Sequence, residues 1–438
     1  MLSSGSSREG LYRGFARGFV RGIAFACLME SAYATTYTVD PRSYLERLAQ
    51  LKPGDRLQLA PGTYRDGLSI NGIHGSNEQP VVIEGSSSGG LTVFQGVSGR
   101  NTVSLRNASF VEIKNLVLDG GGLDVDGVKA EHGGGVVHHI TLEGLTIIGH
   151  GGDQQTVGIS TKTPATNWTI RNSLIIGAGT GMYFGGSDGS APFISGLIES
   201  NVIVDTLGYN LQIKHQQTRP LLSQLPTTAQ RTVIRGNVFS KAANASTGKS
   251  ARPNVLVGHF PPGGVGSDDE YQIVGNVFLS NPEEALFQGE GNLLLRRNVF
   301  LNPVGPAVVV QPHQGVPRRI TIENNFVVGL GPGIELTGVD PRFVPAVARN
   351  RLFALPIAAD TGRADRSKVP PEAQAEFASW LDPGFHAPTA RDDDRDVLVA
   401  AIRRACQLTV GTNPLLRATP LSPQHYVCRA VQDARAER

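Results

Sequence analysis

Short runs of alternating apolar and polar residues recur along most of the chain. Each meets an Asn and continues into a second apolar run: VEIKNLVL, TIRNSLII, LIESNVIV, TVIRGNVF, QIVGNVFL, LLLRRNVF and TIENNFVV. The marker falls at Asn115, Asn172, Asn201, Asn237, Asn276, Asn298, Asn325 and Asn350, with Gly144 in its place once. From Asn115 the steps are 29, 28, 29, 36, 39, 22, 27 and 25 residues. β-type units at a period in the twenties predict a stacked solenoid in which each coil leans only on its neighbours. The repeated Asn is read as an internal ladder of side-chain amides at one corner.

A second strand follows the marked one in each unit: GVKAEHG, GISTKT, GMYFGG, NLQIKHQ, NVLVGHF, ALFQGEG, AVVVQPH and GIELTG. Aligned, they predict one inward column of Val128, Ile159, Met182, Leu211, Val255, Leu286, Val308 and Ile334. The next inward column is Ala130, Thr161, Phe184, Ile213, Val257, Gln288, Val310 and Leu336. The period of two sends the intervening residues outward.

Ahead of the coils, PRSYLERLAQ (41–50) has helical spacing that puts Tyr44, Leu45 and Leu48 on one face. The turns PGD and PGTY then separate alternating strands. A helix here would seal the open sheet edge of a solenoid. The repeat fades after Phe353. Residues 355–438 are expected to form a C-terminal cap on or beside the last coils, with a helix over 395–407 and a solvated turn or helix start at Asp392–Asp394. The predicted organisation is residues 1–34 as a leader, 35–354 as solenoid with its N-terminal cap, and 355–438 as C-terminal cap.

The opening helix, the P-G-D and P-G-T-Y turns and the Asn-marked coils together resemble the pectate-lyase-like superfamily of polysaccharide-lyase-type β-helices. That resemblance extends over about residues 36–354 and is one of fold. It implies an all-β, single-stranded, right-handed parallel β-helix of about nine to ten coils.

The 53 Gly suit tight corners, and a charged fraction of 18% does not suit a disordered chain. Arg8, Arg13, Arg17 and Arg21 precede an apolar stretch at Gly22–Met29, and Ala32-Tyr33-Ala34 has the A-x-A cleavage pattern, as in an export signal. The alternative is a lipid-bearing Cys27, which Phe25 fits poorly. The protein is thus expected to be periplasmic or secreted. In that setting Cys406 and Cys428 would form a disulfide, the alternative being two buried thiols. Removing the four Arg and two Glu of residues 1–34 leaves equal numbers of basic and acidic groups. That balance argues against nucleic acid as a partner, and no later run is apolar enough to span a membrane. A monomer is expected.

The chemistry concentrates on the outward columns of the second strand. Lys129, Glu131, Lys162, Tyr183, Gln212, Lys214, Gln311 and Glu335 lie there, with His132, His215, His259, Glu290 and His313 just beyond. The two longest coils place insertions beside this strip, at 215–230, 241–253 and 260–270. Such insertions would wall a groove suited to a polymer, so the expected partner is a polysaccharide.

Lys214 is the first candidate for a base, its pKa lowered by Lys162 two coils away. The β-helix lyases that the chain resembles include several with a Lys base. His215 or His259 would protonate the leaving group, and Arg219, or Arg252, would neutralise a uronate carboxylate. Lys129, Lys162, Tyr183, Gln212, Glu290 and His313 are candidate substrate contacts. Asp124, Asp126, Glu131 and Asp153 form an acidic set that would be able to hold Ca²⁺, the ion that pectate-lyase relatives use. The bland alternatives are solvated lysines, corner histidines and a plain DVDG turn.

Three readings follow. The first is a lyase cleaving a uronate-containing glycan by β-elimination. The second is a glycoside hydrolase using carboxylates such as Asp126 or Glu290. Asp124 and Asp126 resemble the paired aspartates of polygalacturonase-type β-helices, but the rest of that signature, an adjacent Asp pair followed in turn by Gly-His and Arg-x-Lys phrases, is absent. The third is a non-catalytic carbohydrate-binding or envelope solenoid.

Overall fold

The computed structural model describes residues 34–133, 135–302, 304–329, 333–354, 371–381, 392–409 and 428. The expected export signal, with Cys27, lies outside these residues.

Three parallel sheets run the length of the molecule. Sheet A holds 14 strands, from Thr36–Val39 to Ala346–Ala348; sheet B holds 11, from Gly62–Tyr64 to Arg351–Ala354; sheet C holds 10, from Leu68–Asn71 to Ile334–Leu336. The chain visits them in the cyclic order A, B, C, and every named strand pairing is parallel. This is a right-handed parallel β-helix, the hand that strand twist favours for parallel crossovers. Inward residues of all three sheets meet in one continuous core. Within it Phe239, Phe278 and Phe300 stack at centroid distances of 5.1 and 4.5 Å.

Sheet C is the face the sequence predicted as chemical, and its register supports the inward columns in all coils but one. Val128 pairs with Ile159, Ile159 with Met182, Met182 with Leu211 and Leu211 with Val255. In the ALFQGEG coil the alignment slips by one residue. Phe287, not Leu286, pairs with Val255, and Gly289 pairs with Val257. Gln288 therefore points outward.

The Asn markers belong to two columns. Asn201, Asn237, Asn276, Asn298, Asn325 and Asn350 form the expected amide ladder, each Nδ2 donating to the next Oδ1 at 2.9–3.0 Å. Ser173 extends it, its N–H donating to Asn201 Oδ1 at 3.0 Å. Asn115 and Asn172 sit one residue earlier, at φ 56° and 52°. There the corner needs the left-handed conformation that Asn tolerates better than most residues. In the early coils the ladder column is filled by Leu116 and Leu145 instead, both buried.

At the N-terminal end α1 (Tyr44–Leu48) is shorter than expected. It buries Tyr44 and Leu48, while Leu45 is exposed. Tyr44 packs edge-on to Tyr64 and Phe94 and donates its hydroxyl to Gly67 O at 2.6 Å. The C-terminal helices α2 (Pro371–Leu381) and α3 (Asp392–Thr409) cover the outer face of sheet B. Phe377, Trp380, Leu398, Ala401, Ile402 and Ala405 pack there on Val238, Val277, Val299 and Phe326. The tail is thus a flank cover that reaches back to the middle coils. Asp394 in its first turn pairs with Arg296 at 2.7 Å, and Cys406 is joined to Cys428. No helix among the described residues is long and apolar enough to cross a membrane.

Candidate active site on sheet C

Two outward columns run up sheet C. One reads Ser104, Lys129, Ser160, Tyr183, Gln212, Leu256, Gln288, Val309 and Glu335. In the other, register and backbone hydrogen bonds place Glu131, Lys162, Gly185, Lys214, Gly258 and Glu290 in succession. Strands in this stack are about 4.8 Å apart, so Lys162 and Lys214 lie roughly 10 Å apart along the column. Only Gly185 stands between them. Its φ is +97°, and a Cβ there would lie 3.3 Å from the Lys214 Cβ. The glycine leaves a slot between two amines.

Those amines lack acid partners. Neither Lys162 nor Lys214 forms a salt bridge among the described residues, whereas Lys129 is tied to Asp126 at 3.1 Å. Burial, outweighing the nearby Asp126, pushes Lys162 down to about 8, helped by the like charges of Lys129 and Lys214. Lys214 is also lowered by burial, with Glu290 pulling the other way. The Lys162 Nζ sits over the Tyr183 ring, 3.4 Å from its centroid. Burial raises the Tyr183 phenol, and its hydroxyl bonds to Ser187 Oγ at 3.0 Å. Where the strip turns the corner toward sheet A, a cavity of about 580 Å³ opens, lined by His132, Lys162, Thr163, Ser187, Asp188 and Ser190. That volume is in the range of small-ligand sites.

Both edges of sheet C carry walls. At one, the 241–253 insertion runs back over earlier coils: Ser246 N donates to Leu207 O, and Gln154 Nε2 to Ser250 O at 2.7 Å. Lys241 anchors this loop from a buried position, donating to Arg252 O at 2.7 Å. At the other, the 215–230 and 260–270 segments bond to each other through Arg219 N and Val265 O.

Several predicted roles do not survive this geometry. Arg219 is buried, paired with buried Asp269 and bonded to Pro226 O and Thr228 O, so it holds the wall and cannot reach a substrate. Arg252 donates to Lys249 O and Ala251 O within its own loop. Glu290 is 1% exposed and accepts the backbone N–H groups of His259 and Gln314 at 3.1 and 3.0 Å. It clips two corners together and is no surface contact. His215 stacks on His259 at 5.5 Å. Burial first, then Lys214 and His259, lowers the His215 pKa, so its ring is neutral near pH 7 and a poor proton donor. His259 Nδ1 bonds to its neighbour Phe260 O at 2.8 Å. Gln212 is buried in its column, and His313 is exposed beyond the last wall.

The four acids do not assemble into a calcium site. Asp124 accepts Thr156 Oγ1, and Asp126 accepts Val157 N and Ser160 Oγ. Glu131 accepts Asn101 Nδ2 and Ser104 Oγ, and Asp153 accepts Gln155 N. Among the described residues no three His, Cys, Asp or Glu gather in a way that would hold a metal ion. Nor do Asp126 and Glu290 make a hydrolytic pair. They lie five coils apart, roughly 24 Å along the stack, against the 5–10 Å or so that glycoside hydrolysis needs.

Three features escaped the sequence reading. Gly185 was visible in the alignment, since GMYFGG puts Gly where GISTKT puts Lys. The 186–191 loop that walls the cavity left no pattern. Tyr209 lies just before a sheet C strand, its phenol raised by burial and drawn down by nearby Arg252; corner positions fall outside any period.

No protein-family model matches this chain, and no curated protein matches it significantly. Solved structures of similar fold include an alginate lyase from Paenibacillus sp. str. FPU-7, at 16% identity over 73% of this chain and 95% of that one, TM-score 0.45. Pectate lyase Pel9A shares 14% identity over 82% of this chain and 86% of its own, TM-score 0.40. A GH136 lacto-N-biosidase from Eubacterium ramulus shares 11% over 73% and 68%, TM-score 0.44. At such similarity none of them assigns a residue or an activity to this chain.

Proposed function

We propose that this chain is an exported polysaccharide lyase that cleaves a uronate-containing glycan by β-elimination, with Lys162 as its base. The observation that carries the reading is the pair of amines without acid partners flanking Gly185, one of them lowered to about 8 by burial. Neutral Lys162 takes the proton α to the uronate carboxylate. The electron pair forms the double bond, the β C–O bond breaks, and the leaving oxygen takes a proton. Tyr183, packed under Lys162 and kept protonated by burial, carries the hydroxyl that gives this proton. Lys214, across the slot, faces the charge that develops on the carboxylate. This exchanges the roles first expected, because burial, with Lys129 and Lys214 adding to it, lowers Lys162 to about 8, whereas at Lys214 the lowering by burial is opposed by Glu290.

The test is absorbance of unsaturated uronate while purified protein meets pectate, alginate and glycosaminoglycans, with and without Ca²⁺. A rise that vanishes in Lys162→Ala supports the assignment. New reducing ends without absorbance would establish a hydrolase instead. Neither signal would leave a binding solenoid.

A further inference from the structure

Sheet A carries a second site on the same coils, around the corner from the cavity. Phe110, His139, Asn167 and Ser195 occupy equivalent places on four successive coils, and each has φ between 54° and 56°. At the neighbouring left-handed column the chain uses residues led by Asn and Gly, such as Asn115, Gly144, Asn172 and Gly236. A bulky Phe in this conformation is sterically costly. Backbone strain held in this way is a pointer to function.

The strain presents an aromatic platform. The Phe110 and His139 rings stack at 4.3 Å with an interplanar angle of 17°. His138 meets Phe110 edge-on at 5.4 Å, and its Nδ1 lies 2.8 Å from that of His139. Burial lowers both imidazoles, keeping the platform uncharged at neutral pH. A recess of about 310 Å³ lies over it, with Asn77, Glu112, Thr141, Asn167 and Ser195 on its walls. An aromatic stack beside hydroxyl, amide and carboxylate groups suits a pyranose, whose C–H face packs on the outer face of a ring and whose rim is hydroxyls. Glu112 on the wall selects against an anionic sugar, although Lys114 at 2.6 Å partly offsets its charge.

We propose that this recess on sheet A is a saccharide-binding site that packs a neutral pyranose unit against the outer face of the Phe110–His139 ring pair. It does not depend on the lyase reading, since it shares no residue with the strip of sheet C.

Saturation-transfer NMR with neutral hexasaccharides of glucose, xylose, mannose and galactose tests it, using wild type, Phe110→Asn and Lys162→Ala. At least one probe should transfer saturation through its ring C–H protons in wild type and in Lys162→Ala. Phe110→Asn should reduce that signal at least tenfold while its Tm stays equal or rises, because Asn accepts the left-handed backbone more readily. His139→Asn should weaken binding in the same way. If no neutral probe binds, or binding survives Phe110→Asn, the proposal is wrong. Binding lost in Lys162→Ala but kept in Phe110→Asn would place the sugar in the cavity and overturn it equally.

Discussion

Sheets A and C both point charged residues outward, and the two faces treat them in opposite ways. On sheet A the charges pair from coil to coil. Lys114 meets Glu112 at 2.6 Å and Glu143 at 3.6 Å, Arg171 meets Glu143 at 3.0 Å, and Arg235 meets Glu199 at 2.6 Å. The hydrogen bond to Glu143 raises Arg171, so its charge is reinforced. On sheet C Lys162 and Lys214 form no salt bridge among the described residues, burial drives both pKa values down, and Gly185 separates the two. Alternating charge makes a soluble, inert surface at little gain per pair. Unpaired, half-buried cations cost the fold something and are therefore where chemistry is to be sought.

The sharpest way to break this contrast is Lys162→Ala. Loss of a general base should lower kcat by about 10²–10⁴-fold, with circular dichroism and Tm essentially unchanged. Lys214→Ala should cost about 10²-fold through lost charge stabilisation. It should also shift the pH profile: removing a like charge lets Lys162 hold its proton longer, so the midpoint moves up. In wild type, only neutral Lys162 is competent. Activity should therefore be low at pH 6, rise through about pH 8 and level off above it. A profile that falls across this window would remove Lys162 from the base role. Gly185→Ala fills the slot and strains a backbone at φ +97°. Its expected effects are about a tenfold fall in kcat/KM and roughly 1–2 kcal/mol of stability, read by kinetics and chemical denaturation. Glu143→Gln on sheet A should leave kinetics untouched and cost at most about 1 kcal/mol, less at high salt. If it changed activity as much as the sheet C variants, the two faces would not differ in kind.

How much of this was legible from residues alone depended on periodicity. The inward columns of sheet C were readable because a strand has a period of two and one face is buried. They slipped by one at Phe287, where a coil of 22 residues leaves no slack to mark the register. The Asn ladder was readable as a device but not as a column. Asn115 and Asn201 occupy adjacent positions, one for its backbone conformation and one for its amide, and a single letter serves both. The cover over sheet B also left a trace. VIV, VFL and FVV are apolar on both faces, as strands buried on both sides must be. Their covering helices lie more than 30 residues beyond the last of these strands.

The candidate site divides along the same line. Sequence by itself determined the solenoid, the candidate face of each coil and the shortlist of lysines and histidines, because these follow from local period and residue type. Tertiary structure decided which groups are usable. Arg219 and Glu290 are taken up by buried structural contacts, burial lowers Lys162 to about 8, and Phe110 sits in a stack on sheet A at positive φ. Burial and partnership set ionisation, and both depend on segments far apart in the chain. That information exists only once the coils are stacked.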